Sequence, residues 1–293
     1  MAAVGSYLDA RAQAGRWLVR IEDLDPPRER PGAADEILRT LEVLELHWDG
    51  PILRQSQRKS AYAAALARLS QRNLLHACEC TRSEIAAFPQ NRTREAGATD
   101  ELYHPGQCPA HRSPAACAPG QAWRLRVPRG FVTFDDRSLG PQSIDVAASV
   151  GNFVLRRRDG LFAYQLAVVV DDAQQGVTDV VRGCDLLTST ARQILLQQAL
   201  GLPPLRYLHL PLAVDHRGRK LSKSEDTPGA DRTTPAARLV AVLEFLGQAP
   251  PSALCGAPVR EVLDWARVHW RVAGFAGRAA GTAPLGEIAG TAG

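Results

Sequence analysis

The chain is 293 residues long, 45% hydrophobic and 23% charged, enough for one large domain with insertions or two modest ones. A formal net charge of +4 is compatible with an RNA partner but lacks the dense basic stripe of a dedicated electrostatic binder. No apolar run approaches a membrane span and the N-terminus lacks the layout of a secretory signal, so a cytoplasmic location is expected.

Residues 1–14 place Val4 and Leu8 at helical spacing, and Gly15 ends the run. Residues 16–22 alternate, with Trp17, Val19 and Ile21 on one face, as a strand does. That strand runs into Glu22, Asp23 and Asp25 and stops at Pro26-Pro27. Acid at the carboxyl end of a strand lies where open α/β sheets bind ligands, although a solvated charged loop has the same composition. Residues 35–46 carry Ile37, Leu38, Leu41 and Leu44 on one face, which predicts an amphipathic helix packed on the sheet. Gln55-Ser56-Gln57-Arg58 follows. A further helix is expected over 61–75 through Tyr62, Ala65, Leu66 and Leu69.

Six cysteines in a chain of this length, three of them near histidines, read as reduced thiols and a metal site rather than a disulfide framework. Cys78 and Cys80, with His104 and Cys108 on a proline–glycine turn, supply four N/S donors suited to tetrahedral zinc. The Cys-x-Cys spacing by itself leaves zinc and plain thiols equally open. The polar residues 84–102 predict a loop. Residues 123–127 and 131–136 alternate like antiparallel strands around Pro128-Arg129-Gly130.

Arg156-Arg157-Arg158 leads into an Asp159-Gly160 turn. Ala167-Val168-Val169-Val170, stopped by Asp171-Asp172, then reads as a strand buried in a parallel sheet. Residues 177–181 read as another strand, delivering Arg182-Gly183-Cys184-Asp185 to the same edge. A structural Arg182–Asp185 ion pair is the plain alternative to a binding role. Thr188-Ser189-Thr190 can cap a helix carrying Ile194, Leu195 and Leu200. Residues 206–214 predict a last buried strand, followed by a polar loop with Lys220 and Lys223 that is, as a bare pattern, a solvated turn. Helices are expected over 235–246 and 259–268, and the Gly/Ala-rich tail from 273 is expected to fray.

Taken together, RIEDLDPPRE, the Trp48-Asp49-Gly50 and Gln55-x-x-Arg58 pair, AYQLAVVVDD, RGCDLLTST and KLSKS resemble the glutamyl-tRNA synthetase-like group of class I aminoacyl-tRNA synthetases. In detail they are most similar to its glutamyl-Q tRNA(Asp) synthetase branch. The resemblance implies a doubly wound, Rossmann-like parallel α/β fold with an inserted zinc-bearing subdomain and a short helical C-terminus. The implied division is 1–75 and 151–234 for the two catalytic halves, 76–150 for the insertion and 235–293 for the helical end. It implies a ligase that activates L-glutamate with ATP and Mg2+ without tRNA, then transfers the glutamyl group to queuosine of tRNA(Asp), acting as a monomer. Glu22, Tyr164 and Arg182 would contact glutamate. Lys220 and Lys223 would hold ATP, with Lys223 in the catalytic role.

The family's Cys-x-Cys…Tyr-x3-Cys zinc pattern falls on Cys78, Cys80, His104 and Cys108, with Tyr103 as the alternative to His104. One family feature has no counterpart: the first strand and its His-Ile-Gly-His-like ATP signature, so the chain is expected to begin inside the helix that follows them. A synthetase charging a tRNA 3′ end, or a tRNA- or glutamate-binding paralogue without catalysis, remains the alternative.

Overall fold

A computed structural model describes residues 1–88, 91, 102–104, 120–214 and 234–282. Helix α1 (Ala2–Ala12) is followed by β1 (Arg20–Ile21), a 3-10 turn at Pro26–Arg28 and α2 (Ala33–Val43). Strand β2 (Leu53–Arg54) passes through a 3-10 turn at Gln55–Gln57 into α3 (Lys59–Gln71). Then come β3 (Leu75–Cys78), α4 (Arg82–Ala86), β4 (Ala122–Leu125), β5 (Phe131–Asp136) and β6 (Gly140–Asp145). Helix α5 (Val146–Ser149) and β7 (Val154–Arg156) precede α6 (Tyr164–Gln175), β8 (Asp179–Gly183) and α7 (Leu187–Leu200). Strands β9 (Arg206–Leu210) and β10 (Leu212–Val214), helices α8 (Pro235–Phe245) and α9 (Val259–His269), and β11 (Ala280–Thr282) complete the described chain.

The largest sheet has the order β6-β5-β9-β8, with β5, β9 and β8 parallel and β6 antiparallel at the edge. Its two faces follow from strand alternation. Tyr207 and His209 point toward α7, where Tyr207 bonds Gln197 and His209 meets Thr190. Leu208 and Leu210 point the other way, packing with Phe245, Leu246 and Phe275. Helix α1 lies so close on that second side that a Cβ on Gly5 would fall 2.5 Å from Leu210 Cδ1. Helices thus cover both faces of a mostly parallel sheet, as the doubly wound expectation requires. A second sheet, β3-β4-β7, is antiparallel and shares a core with α3, α6 and α7 that includes Tyr62, Leu69, Leu75, Phe153, Leu155 and Leu166.

Several expectations need correction. Residues 167–170 are not a strand: they sit inside α6, which ends at Gly176 in a left-handed cap. A short apolar run bears no periodicity that separates a buried strand from a buried helix, and packing against α3 and α7 overrides the β preference of three valines. Strands β4 and β5 are not partners; β4 pairs with β3 and β7, while β5 pairs with β6 and β9. The 16–22 strand is only Arg20–Ile21, parallel to Leu53–Arg54. Helix α2 leaves Ile37 56% exposed and packs through Leu41 and Leu44 on α1, α8 and α9, not on the sheet. Part of the polar 84–102 stretch belongs to α4, closed by a Thr81–Glu84 capping box. Residues 206–214 form two strands in two sheets, parted at Pro211. The tail from 273 does not fray at once: Phe275 is fully buried and β11 pairs parallel to β10.

Candidate active-site cleft and metal cluster

A cleft of about 720 Å³ opens between the α1–β1 segment on one side and β8 with the end of α6 on the other. Glu22, Tyr164, Asp172 and Arg182 all line it, so three residues picked out by sequence from distant positions meet in one cleft. Arg182 projects from β8 and is 8% exposed. Its Nη2 donates to Thr190 Oγ1 at 2.7 Å and to the Leu186 carbonyl at 3.4 Å, and its Nε to His209 Nε2 at 3.4 Å. The Tyr207 ring lies 5.8 Å from its Cζ. None of these partners is a carboxylate, and the Arg182–Asp185 ion pair does not form. Glu22 and Asp172 feel its charge without being bonded to it, so no carboxylate occupies its planar fork.

Glu22 follows β1 and stands opposite as the acid of the site. Its side chain is 42% exposed at the outer edge, with Arg20 Nε 3.6 Å from Oε1. Desolvation by the cleft wall pushes its carboxyl above the ordinary range, and Arg20 pulls the other way without cancelling it. Arg20 is itself held by Asp172 at 2.6 Å and Gln175 at 2.8 Å. Asp172 is buried, and burial pushes its carboxyl up against the pull of Arg20. Tyr164 begins α6; burial is the main force raising its phenol, with Arg182 and a Gln193 hydrogen bond opposing. An acid, a cation and a phenol thus line one cleft.

Asp171, expected at a sheet edge beside Asp172, is instead fully buried and accepts from Gln55 at 2.8 Å, Tyr62 at 2.7 Å and Arg58 at 2.5 Å. The Gln55…Arg58 motif is therefore the clamp that ties α6 to α3. Sequence reasoning missed Thr190, His209 and Asp136, which stand behind Arg182. They come from three elements, and nothing in their spacing links them.

The metal donors also converge. Cys78, Cys80 and His104 offer ligand atoms within 4.8 Å of one another, and Cys78 Sγ lies 3.3 Å from His104 Nε2. With Zn–S at about 2.3 Å and Zn–N at about 2.0 Å, tetrahedral ligand atoms stand about 3.5 Å apart, so the donor set fits zinc. Strand β3 ends at Cys78. His104 is placed by a backbone ladder, its N–H on Val150 O at 2.9 Å and its carbonyl accepting from Asn152 N–H at 3.1 Å. Asn91 bonds both backbone groups of Tyr103, steadying the same segment. Cys108, Lys220 and Lys223 lie outside the described residues. Among the described residues no helix is long and apolar enough to cross a membrane.

Comparison with known proteins agrees with this geometry. Residues 1–232 match the family model for the catalytic domain of class I tRNA synthetases (E and Q). The chain is 52% identical to a glutamyl-Q tRNA(Asp) synthetase of Dechloromonas aromatica, over 92% of this chain and 88% of that protein. It is 51% identical to the one of Ectopseudomonas mendocina, over 92% and 87%. Among solved structures it resembles the glutamate-tRNA synthetase of Elizabethkingia anophelis with a TM-score of 0.75 at 22% identity. That likeness, which speaks for the fold alone, covers 97% of this chain and 65% of the other, so the chain spans just under two thirds of that synthetase. A mostly parallel α/β sheet, a matching catalytic-domain model and half-identical relatives along nearly the whole length lead to one assignment: the chain belongs to the glutamyl-Q tRNA(Asp) synthetase family of class I synthetases.

Proposed function

We propose that the chain activates L-glutamate with ATP and transfers the glutamyl group to the cyclopentenediol of queuosine in tRNA(Asp). The observation that supports this most directly is Arg182, buried, hydrogen-bonded to no carboxylate and facing the same cleft as Glu22 and Tyr164. Arg182 would pair with a substrate carboxylate through its planar fork, Glu22 would hold the ammonium, and Tyr164 would hydrogen-bond the bound amino acid. A glutamate carboxylate oxygen then attacks the α-phosphorus of ATP and pyrophosphate leaves, giving glutamyl-adenylate. A queuosine hydroxyl next attacks the acyl carbon, AMP departs and the hydroxyl proton is lost. Lys220 and Lys223 would neutralise the phosphates, with Lys223 in the catalytic role, and Mg2+ would accompany ATP through oxygen ligands. Zinc on Cys78, Cys80, His104 and Cys108 would be structural, stiffening the inserted segment after β3 that takes up the tRNA.

The test is glutamate-dependent ATP–pyrophosphate exchange without tRNA, followed by transfer of labelled glutamate to tRNA(Asp) with and without queuosine. Exchange with glutamate, and label only on the queuosine-bearing tRNA, is the expected result. Label on unmodified tRNA that requires an intact 3′-terminal ribose would instead make the chain an ordinary charging enzyme.

A further inference from the structure

The groups behind Arg182 form a chain of hydrogen bonds whose direction can be worked out. Asp136, at the end of β5, has a fully buried side chain. Its carboxylate accepts from the backbone N–H of Leu139 at 2.9 Å, Ser138 at 3.0 Å and His209 at 3.1 Å. Burial pushes that carboxyl up, but the hydrogen bonds from His209, Leu139 and Ser138 outweigh it and hold it below the ordinary range. An ionised carboxylate can only accept, so His209 Nδ1, 2.6 Å away, must carry the proton it receives. A neutral ring protonated there leaves Nε2 bare. That nitrogen lies 3.1 Å from Thr190 Oγ1, whose proton can point to it, leaving the oxygen's lone pairs for Arg182 Nη2 at 2.7 Å. The bare Nε2 also faces Arg182 Nε at 3.4 Å. With a proton on Nε2 instead, imidazole and guanidinium would set two donors against each other.

We propose that Asp136, His209 and Thr190 are a positioning relay: the carboxylate fixes the His209 tautomer, and the ring and hydroxyl together fix the guanidinium of Arg182 toward the cleft. This rests on the reading of Arg182 as the partner of a glutamate carboxylate. The four residues come from β5, β9, α7 and β8, so the relay also locks the register of the sheet to the helix that covers it. None of the three relay residues needs to touch the substrate; they act through Arg182.

The test uses the full chain and two readouts. In protein labelled with 15N-histidine, the His209 ring, assigned by His209→Asn, should show the Nδ1–H tautomer. Thr190→Val keeps shape but removes the hydroxyl, and should weaken L-glutamate binding in calorimetry by about tenfold, the weight of a hydrogen bond to a charged group. Binding of ATP should stay unchanged, and Thr190→Ser should restore glutamate affinity. An Nε2–H tautomer at His209, wild-type glutamate affinity in Thr190→Val, or equal loss of glutamate and ATP would each overturn the relay. A wild-type chain that binds no glutamate would remove the reading of Arg182 itself, whereas normal wild-type binding with a silent Thr190→Val removes the relay alone.

Discussion

At the scale of single residues the site is a pair of charges prepared by opposite means. Arg182 is buried and held at fixed points by Thr190, Leu186 and His209, so its charge costs desolvation in advance and is aimed in advance. Lysine would keep the charge but could not reproduce a fork bonded on one side to the protein and on the other to a carboxylate. Arg182→Lys should therefore weaken glutamate binding by at least about tenfold in calorimetry while leaving ATP binding intact. Wild-type affinity in the variant would make Arg182 a structural residue. Glu22 works in the other direction. On the proposed reading it is ionised to hold an ammonium, yet desolvation by the cleft wall raises its carboxyl above the ordinary 4.5, so it takes up a proton sooner as the pH falls. Glutamate affinity should be full at neutral pH and begin to fall above 4.5, and Glu22→Gln should be weaker at neutral pH and show a smaller fall, the remainder belonging to Asp172 and the substrate. The linkage sign is the opposite for folding: a raised pKa contributes stability only below the unfolded value and loses it as the pH rises. Removing the charge should thus leave the melting temperature unchanged or raise it.

At the scale of elements, legibility in the sequence tracked local pattern. Helix α3 buries Tyr62, Ala65, Leu66 and Leu69, the face that 3.6-residue spacing marks, because its partners all lie on one side. Helix α6 was illegible for the opposite reason. It is buried nearly all round, so Leu166 to Val169 carry no amphipathic stripe, and the valines mimic a strand. Glu22, Tyr164 and Arg182 could be named because recognisable motifs carry them. Their supports, Asp172 on Arg20 and Asp136 on His209, could not, since each joins segments far apart in the chain. The metal cluster shows the same division. Its cysteines are visible in spacing, but the placement of His104 depends on Gly151. That glycine has φ +69, and a Cβ there would sit 2.1 Å from the His104 carbonyl oxygen. Gly151→Ala must push the two segments apart and strain a left-handed backbone. Protein purified without chelator should carry about one zinc per chain, and Gly151→Ala should carry markedly less, read by elemental analysis. Full zinc in the variant would show that the ladder between His104 and Gly151 does not set the site.

At the scale of the whole molecule, the question is what keeps the back of the catalytic sheet dry while a cleft runs along its edge strand β8. The parallel strands present Leu208 and Leu210 to the back, and a sheet face of that kind must be covered. Helix α8 supplies Phe245 and Leu246, and the chain after α9 returns to insert Phe275, which has no exposed surface. The return is pinned by backbone bonds, Gly277 N–H to Ser138 O at 2.7 Å and Leu212 N–H to Ala279 O at 2.9 Å, and by the β10–β11 pairing. Because Ser138 lies two residues beyond Asp136, the same segment that seals the back also braces the strand end behind Arg182. Phe275→Ala should cost about 3–5 kcal/mol in urea unfolding, the range for removing a buried aromatic ring from a packed core. Phe131→Ala, at a position 70% exposed on β5, should stay within about 0.5 kcal/mol of wild type. Loss of the buried ring should also loosen Ser138 and weaken glutamate binding, whereas loss of the exposed one should not. Equal, small effects from both substitutions would mean that α1 and α8 suffice to cover the sheet and that the C-terminal return is dispensable.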